Sequence, residues 1–180
     1  MTSLSQVFTP QSRKLLLMRH AEADWGLDDF NRPLTRRGHQ QAGSAGQWLR
    51  SCGLIPEMVL ASSALRTRQT VTWLADALGQ KAPTASLDER LYNADADQLL
   101  QVIAGVPDSV QSLLLVAHLP GVQELALDLM HPQSDREATV EVSYGFPPAT
   151  IASFEVGDAW SNVRSGQQLL RALEIFAGGR

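Results

Sequence analysis

The sequence predicts an α/β fold, a three-layer α/β/α sandwich around a mostly parallel central sheet. Three observations lead there. Short, wholly apolar runs recur at residues 15–18 (LLLM), 58–60 (MVL) and 113–116 (LLLV), and such runs between polar residues suit strands buried on both faces. Each run is followed by a stretch with helical periodicity, and alternating strand and helix is the pattern of a parallel sheet with helices on its faces. The chain has 180 residues, 44% apolar and 19% charged, enough apolar material for one domain with a sizeable core.

The elements follow in order. Residues 1–13 read as a flexible leader and residues 14–177 as a single domain. The strand at 15–18 stops at Arg19-His20. Residues 21–34 are loop-like, with Gly26, several acids and Pro33. Thr35 is placed to cap a helix over about 36–51, with Ala42, Ala45, Trp48 and Leu49 on one face and Gly53 just past its end. The strand at 58–60 ends at Ala61-Ser62. A second helix follows over about 64–78, where Val71, Leu74, Ala75 and Leu78 fall at i, i+3, i+4 and i+7. Asp95 is placed to cap a short helix carrying Leu99, Val102 and Ile103. The strand at 113–116 ends at Ala117-His118, and Pro120 opens a helix with Val122, Leu125, Ala126 and Leu129. A short strand is expected at 138–143, then a break at Pro147-Pro148, then a strand over 150–156. Periodicity alone makes 167–177 a helix, with an edge strand as the alternative. Nothing reads as a repeat, a low-complexity tract or an interdomain linker.

Composition excludes several classes. The net charge is −4, from 15 basic and 19 acidic residues, so no general nucleic-acid or anionic-membrane partner is expected. Cys52 is alone, which leaves no intramolecular disulfide and no zinc ribbon. The cysteine phosphatases need an Arg six residues after their Cys, and that place holds Met58. A Walker A loop needs a Gly-Lys pair, absent here. No apolar run approaches the roughly 18–20 residues of a membrane span. Residues 1–14 lack an apolar signal core, so a cytoplasmic location is expected.

Open parallel sheets bind ligands beyond the carboxyl ends of their strands. Arg19 and His20 follow the first run, Ser62 and Ser63 the second with Arg66 one turn into the next helix, and His118 the third. Two His and two Arg thus emerge at one edge of one sheet. Each taken singly reads as a loop, packing or surface residue; their joint placement suggests an anion site. Guanidinium forks match phosphate oxygens, and a neutral imidazole is a competent nucleophile near pH 7. Phosphoryl transfer needs positive groups around the equatorial oxygens and an in-line nucleophile. Two nearby Arg charges favour the neutral imidazole; one charge pair at about 4 Å and an effective dielectric of about 20 is worth on the order of 4 kcal/mol.

These residues fall in blocks that resemble a known family. Leu17-Met18-Arg19-His20-Ala21-Glu22 resembles the strand-ending Arg-His-Gly signature of the histidine phosphatase superfamily, which has the phosphoglycerate-mutase-like fold. The stretch from Ser62 to Thr70 resembles its second block, and Val116-Ala117-His118-Leu119-Pro120-Gly121 its third. Arg32-Pro33-Leu34-Thr35 with Gly38 looks like the stretch after the first loop. Asp88 to Ala94, and Phe146 to Thr150, resemble segments of the small SixA-type phosphohistidine phosphatases. The matches run in order from about 15 to 156.

The resemblance implies that His20 is the nucleophile and becomes a phosphohistidine, that Arg19, Arg66 and His118 hold the phosphate oxygens, and that Arg32 adds a contact at the pocket mouth. It implies no metal or organic cofactor, and makes the tail near 169–176 a closing strand. The signature Gly is Ala21 here, which matters only if the position needs positive φ. Larger family members use an acid to protonate the leaving oxygen. Glu89 is the candidate, with Glu22 and Asp24 weaker ones, and a phosphohistidine substrate needs less such help. His39 reads as a residue of the first helix's exposed face and His131 as a loop residue. Asp95-Ala96-Asp97 follows no apolar strand and reads as a helix cap.

The expected function is therefore a metal-independent phosphatase with a covalent intermediate on His20. The short span from Glu89 to His118 leaves little lid, which favours phosphohistidine on a protein as substrate. A small-molecule phosphomonoesterase is the second reading, and a non-catalytic phospho-ligand-binding module the third.

Overall fold

The computed structural model describes residues 12–26 and 28–177. The leader expected at 1–13 lies outside the described residues except for Ser12 and Arg13, and Arg13 already belongs to the first strand. Six strands form one sheet: β1 (Arg13–Arg19), β2 (Met58–Ser62), β3 (Ala85–Asp88), β4 (Ser112–Ala117), β5 (Ile151–Val156) and β6 (Leu169–Glu174). Their spatial order is β3-β2-β4-β1-β5-β6. The pairs β1·β4, β2·β4 and β2·β3 are parallel. The pairs β1·β5 and β5·β6 are antiparallel, so the last two strands close one side of a parallel core. The sheet is thus mostly parallel, as expected, and the tail takes the edge-strand alternative.

Burial explains why β1 reads as an unbroken apolar run. Leu15 and Leu17 pack on one face with Leu99, Ile103, Val122, Leu125, Val142 and Trp160. Leu16 and Met18 pack on the other with Ala42, Leu49, Leu74, Leu78 and Ile151. The second face is covered by α1 (Arg36–Ser51) and α2 (Leu65–Leu78), the first by α3 (Ala96–Ala104), α4 (Gly121–Leu129) and α5 (Arg136–Tyr144). Gly46 lets the first two helices touch: a Cβ there would lie 2.4 Å from Leu74 O.

Capping follows the sequence closely. The Thr35 hydroxyl accepts from Gly38 N at 3.0 Å. Asp95 and Gln98 form a reciprocal capping box on α3, which explains the Asp-Ala-Asp stretch. One expectation is corrected. Residues 138–143 are not a strand but the body of α5. Thr139 to Val142 alternate polar and apolar as a strand does, yet the buried residues are Ala138 and Val142, four apart, while Val140 is exposed. Asp135 starts the helix by accepting from Ala138 N at 2.9 Å.

Candidate active site

Because β1, β2 and β4 are parallel and in register, their carboxyl ends coincide. Arg19 pairs with Ala117, and Ala61 with Val116. His20 N bonds Ala117 O at 3.1 Å, which sets the residue after β1 beside the residue after β4. The His20 and His118 rings stand 5.2 Å apart. Arg66, the second residue of α2, reaches the same point and donates from Nε to His20 Nε2 at 3.3 Å. Arg19 donates from Nη1 to Phe146 O at 3.0 Å, which ties the Phe-Pro-Pro turn to the site.

An open pocket of about 740 Å³ lies here. Arg19, His20, Arg32, Arg66 and His118 all line it, so five of the six predicted residues come together. Glu89 does not. It sits in a 3-10 turn at Glu89–Leu91, points outward with an exposed side chain, and is not among the lining residues. The acids that do line the pocket are Glu22, Asp24 and Asp29. Asp29 and Tyr92 are the residues that sequence reasoning missed. Asp29 is separated by 37 positions from Arg66 and by 63 from Tyr92, to which it is bonded, and no periodicity relates them.

The hydrogen bonds assign the tautomer of His20. Its Nδ1 lies 2.7 Å from Ala21 O, an acceptor only, so Nδ1 carries the proton. Its Nε2 faces the Arg66 Nε–H, a donor only, so Nε2 holds the lone pair. Burial, then the charges of Arg66, Arg19 and Arg32, lower its pKa to about 3, against the backbone hydrogen bond to Ala21. Burial, the neighbouring His20 and Arg66 lower that of His118 to about 3 as well. Both rings are therefore neutral at pH 7.

His118 is held by Ser62, whose hydroxyl lies 2.8 Å from Nε2 and also accepts from Ala64 N at 3.4 Å. A hydroxyl that accepts there is free to donate to Nε2, the arrangement that places the ring proton on Nδ1. Among the described residues, His118 Nδ1 and Arg19 Nε are buried without a hydrogen-bond partner. Burial and the Arg66 charge lower the Arg19 pKa from its usual value.

The second motif block also supports the first loop. Thr70 accepts from Ala21 N at 3.0 Å, and Gln69 accepts from Leu34 N at 2.7 Å. Ala21 is fully buried and is not among the residues with positive φ, so Ala replaces Gly without strain. His39 stacks on Trp73 at 4.8 Å between ring centroids, half-buried rather than exposed, and His131 is a loop residue. Among the described residues, no group of three or more His, Cys, Asp or Glu is arranged to hold a metal ion, and no helix is long and apolar enough to cross a membrane.

A buried neutral histidine ringed by guanidinium groups at the end of a parallel sheet is the geometry to set beside known proteins. The family model of the histidine phosphatase superfamily (branch 1) matches residues 15–110. The chain belongs to the histidine phosphatase superfamily. It is a phosphatase of that family, with the phosphoglycerate-mutase-like fold. An uncharacterized protein of Mycobacterium leprae (strain TN) is 34% identical, over 88% of this chain and 99% of its own. A solved structure named as the putative phosphohistidine phosphatase SixA of Nakamurella multipartitia is similar at 30% identity and a TM-score of 0.79, covering 93% of this chain and 98% of its own. Another, of the protein histidine phosphatase SixA complexed with tungstate, has a TM-score of 0.70 at 24% identity, over 89% of this chain and 95% of its own, and is alike in fold.

Proposed function

We propose that this protein hydrolyses phosphohistidine on a protein substrate through a covalent phosphoryl intermediate on His20. The observation that carries the reading is the tautomer of His20, a residue lining the pocket, whose Nε2 lone pair accepts from the Arg66 guanidinium while Nδ1–H is tied to Ala21 O. In this reading Nε2 gives up the hydrogen bond from Arg66 Nε–H, its lone pair attacks phosphorus, and a new N–P bond forms as the substrate's N–P bond breaks. The substrate imidazole leaves with a proton it already carries. Arg19, Arg66 and the Nδ1 proton of His118 hold the equatorial oxygens, where charge gathers in the transition state. Arg32 adds positive charge at the mouth. Water then attacks the phosphoryl group and restores neutral His20, with inorganic phosphate as the product. No step calls for a metal or organic cofactor.

Two features favour a protein substrate over an enclosed metabolite. One short helix, α3, is all the helical structure between the turn at Glu89–Leu91 and β4, so little covers the pocket. Trp25, 92% exposed, stands at its mouth. The name of the Nakamurella multipartitia relative, putative phosphohistidine phosphatase SixA, is in line with this reading. Residues 14–177 work as one catalytic domain in it, and the cytoplasmic location expected from the sequence suits a protein substrate found there.

The test is turnover of a phosphohistidine protein and of a generic phosphomonoester, by wild type and by His20→Ala, with and without EDTA. The reading expects preference for the phosphohistidine protein, loss of turnover in His20→Ala with phosphate binding retained, and no effect of EDTA. Preference for the phosphomonoester supports a small-molecule phosphatase instead. Unchanged turnover in His20→Ala, or strong inhibition by EDTA, overturns the proposed chemistry.

A further inference from the structure

We propose that Asp29 is a resident ligand of the phosphoryl site, holding the donors of Arg66 and Arg32 in the free protein and yielding them only to a tetrahedral anion. The inference rests on reading this pocket as the phosphoryl site. Arg66 shows the problem. Its Nε–H is spent on His20, its Nη1 donates to Asp29 O at 2.5 Å, and its Nη2 to Asp29 Oδ2 at 3.0 Å. Only 3% of that side chain is exposed, so it has no second face to offer a ligand. Arg32 is engaged likewise, with Nε and Nη2 at 2.9 and 2.8 Å from Asp29 Oδ1. The Tyr92 hydroxyl adds a bond to Oδ2 at 2.7 Å.

The carboxylate therefore receives two contacts on each oxygen, which fills its acceptor sites. The guanidinium fork fits carboxylate and phosphate oxygens alike, so Asp29 takes the place of two phosphoryl oxygens. A dianion on the same fork would repel it, and the two are mutually exclusive. Arg19 and His118 also line the pocket, and Arg19 Nε and His118 Nδ1 have no partner among the described residues. A planar carboxylate has no third oxygen for them, and a tetrahedral phosphoryl group does. This surplus lets phosphate displace Asp29 where a carboxylate from solution, bringing nothing more, does not. Half of the Asp29 side chain is exposed, so solvent can receive it once displaced.

A resident competitor multiplies the apparent affinity by the fraction of protein in which the site is free. A site free about one-tenth of the time binds phosphate about tenfold more weakly than its intrinsic affinity. The experiment is calorimetric titration of inorganic phosphate into wild type, Asp29→Asn, Asp29→Ala and Tyr92→Phe at pH 7.5, with near-ultraviolet circular dichroism to check folding. Asp29→Asn and Asp29→Ala are expected to bind phosphate about tenfold tighter or more. Tyr92→Phe, which removes one of the four contacts and leaves both arginines intact, should shift affinity the same way by less. If Asp29→Ala does not fold, Asp29→Asn decides. Equal or weaker phosphate binding in the folded Asp29 variants overturns the proposal and makes Asp29 a support of the arginines instead. Affinity is read here without turnover. A failure of this inference therefore leaves the covalent chemistry standing, and unchanged turnover in His20→Ala leaves this inference standing.

Discussion

Arg66→Lys retains the positive charge of Arg66 and removes its shape, so it tests whether the fork matters. Arg66 holds His20 Nε2 with one edge and directs two further nitrogens into the pocket. A lysine ammonium at the end of a flexible stem cannot present a planar fork to two phosphoryl oxygens at once. One to two charge-assisted hydrogen bonds are then lost, each worth about 1.5–3 kcal/mol. The sum is about 1.5–6 kcal/mol of transition-state stabilisation, or roughly 10-fold to 25,000-fold in kcat/KM at about 1.36 kcal/mol per decade. The assay is steady-state hydrolysis of p-nitrophenyl phosphate and of a phosphohistidine protein, with a thermal melt to show that the variant is folded. The fall should appear in kcat as well as KM, because the fork acts on oxygens that gain charge in the transition state. A folded Arg66→Lys protein within about threefold of wild type would refute the reasoning.

Further outcomes follow from the same geometry. Both pocket histidines have folded pKa values near 3, below the ordinary 6.5; the unfolded chain therefore binds more protons, and stability falls as pH drops from about 6.5 toward 3. Between pH 7 and pH 5 each contributes a loss on the order of 2 kcal/mol. Urea unfolding should show this loss and His118→Ala should reduce it, while an imidazole NMR inflection near pH 6.5 for His20 contradicts it. Ser62→Ala should free His118 to exchange tautomers, lowering kcat by about tenfold and changing the ring's 15N shifts, with Ser62→Thr restoring both. Unchanged shifts would make Ser62 a packing residue only. Gly121→Ala would set a Cβ 2.0 Å from Ala94 O, so its urea midpoint should fall by the equivalent of at least about 2 kcal/mol; an unchanged midpoint contradicts that close approach.

Part of this was legible in the chain. The buried strands β1, β2 and β4 stood out because both of their faces are covered, which forces an unbroken apolar run at Leu15 to Met18 and at Leu113 to Val116. Parallel pairing then places whatever follows each run at one edge, so Arg19, His20, Arg66 and His118 were readable from position alone. The direction of β5 was not, because pairing partners leave no local trace in a strand buried throughout. The helix α5 has the pattern of a strand for a related reason. Val140 and Val142 alternate as in a strand, and the packing that selects a helix comes from Val142 alone with Ala138. The place of Glu89 along the chain suggests a site residue, but it lies in a 3-10 turn with its side chain exposed. Asp29 left no signal, since its partners lie 37 and 63 residues away across a loop.

The central claim is that His20 Nε2 takes the phosphoryl group. The direct measurement is rapid quench of the enzyme with a phosphorylated substrate into alkali, where phosphohistidine survives, followed by peptide mass spectrometry. A phosphoryl group on the peptide that carries His20, appearing and decaying at the rate of turnover and absent from His20→Ala, is the result this account predicts. Turnover with no phosphorylated peptide, or a phosphoryl group on another residue, would contradict it.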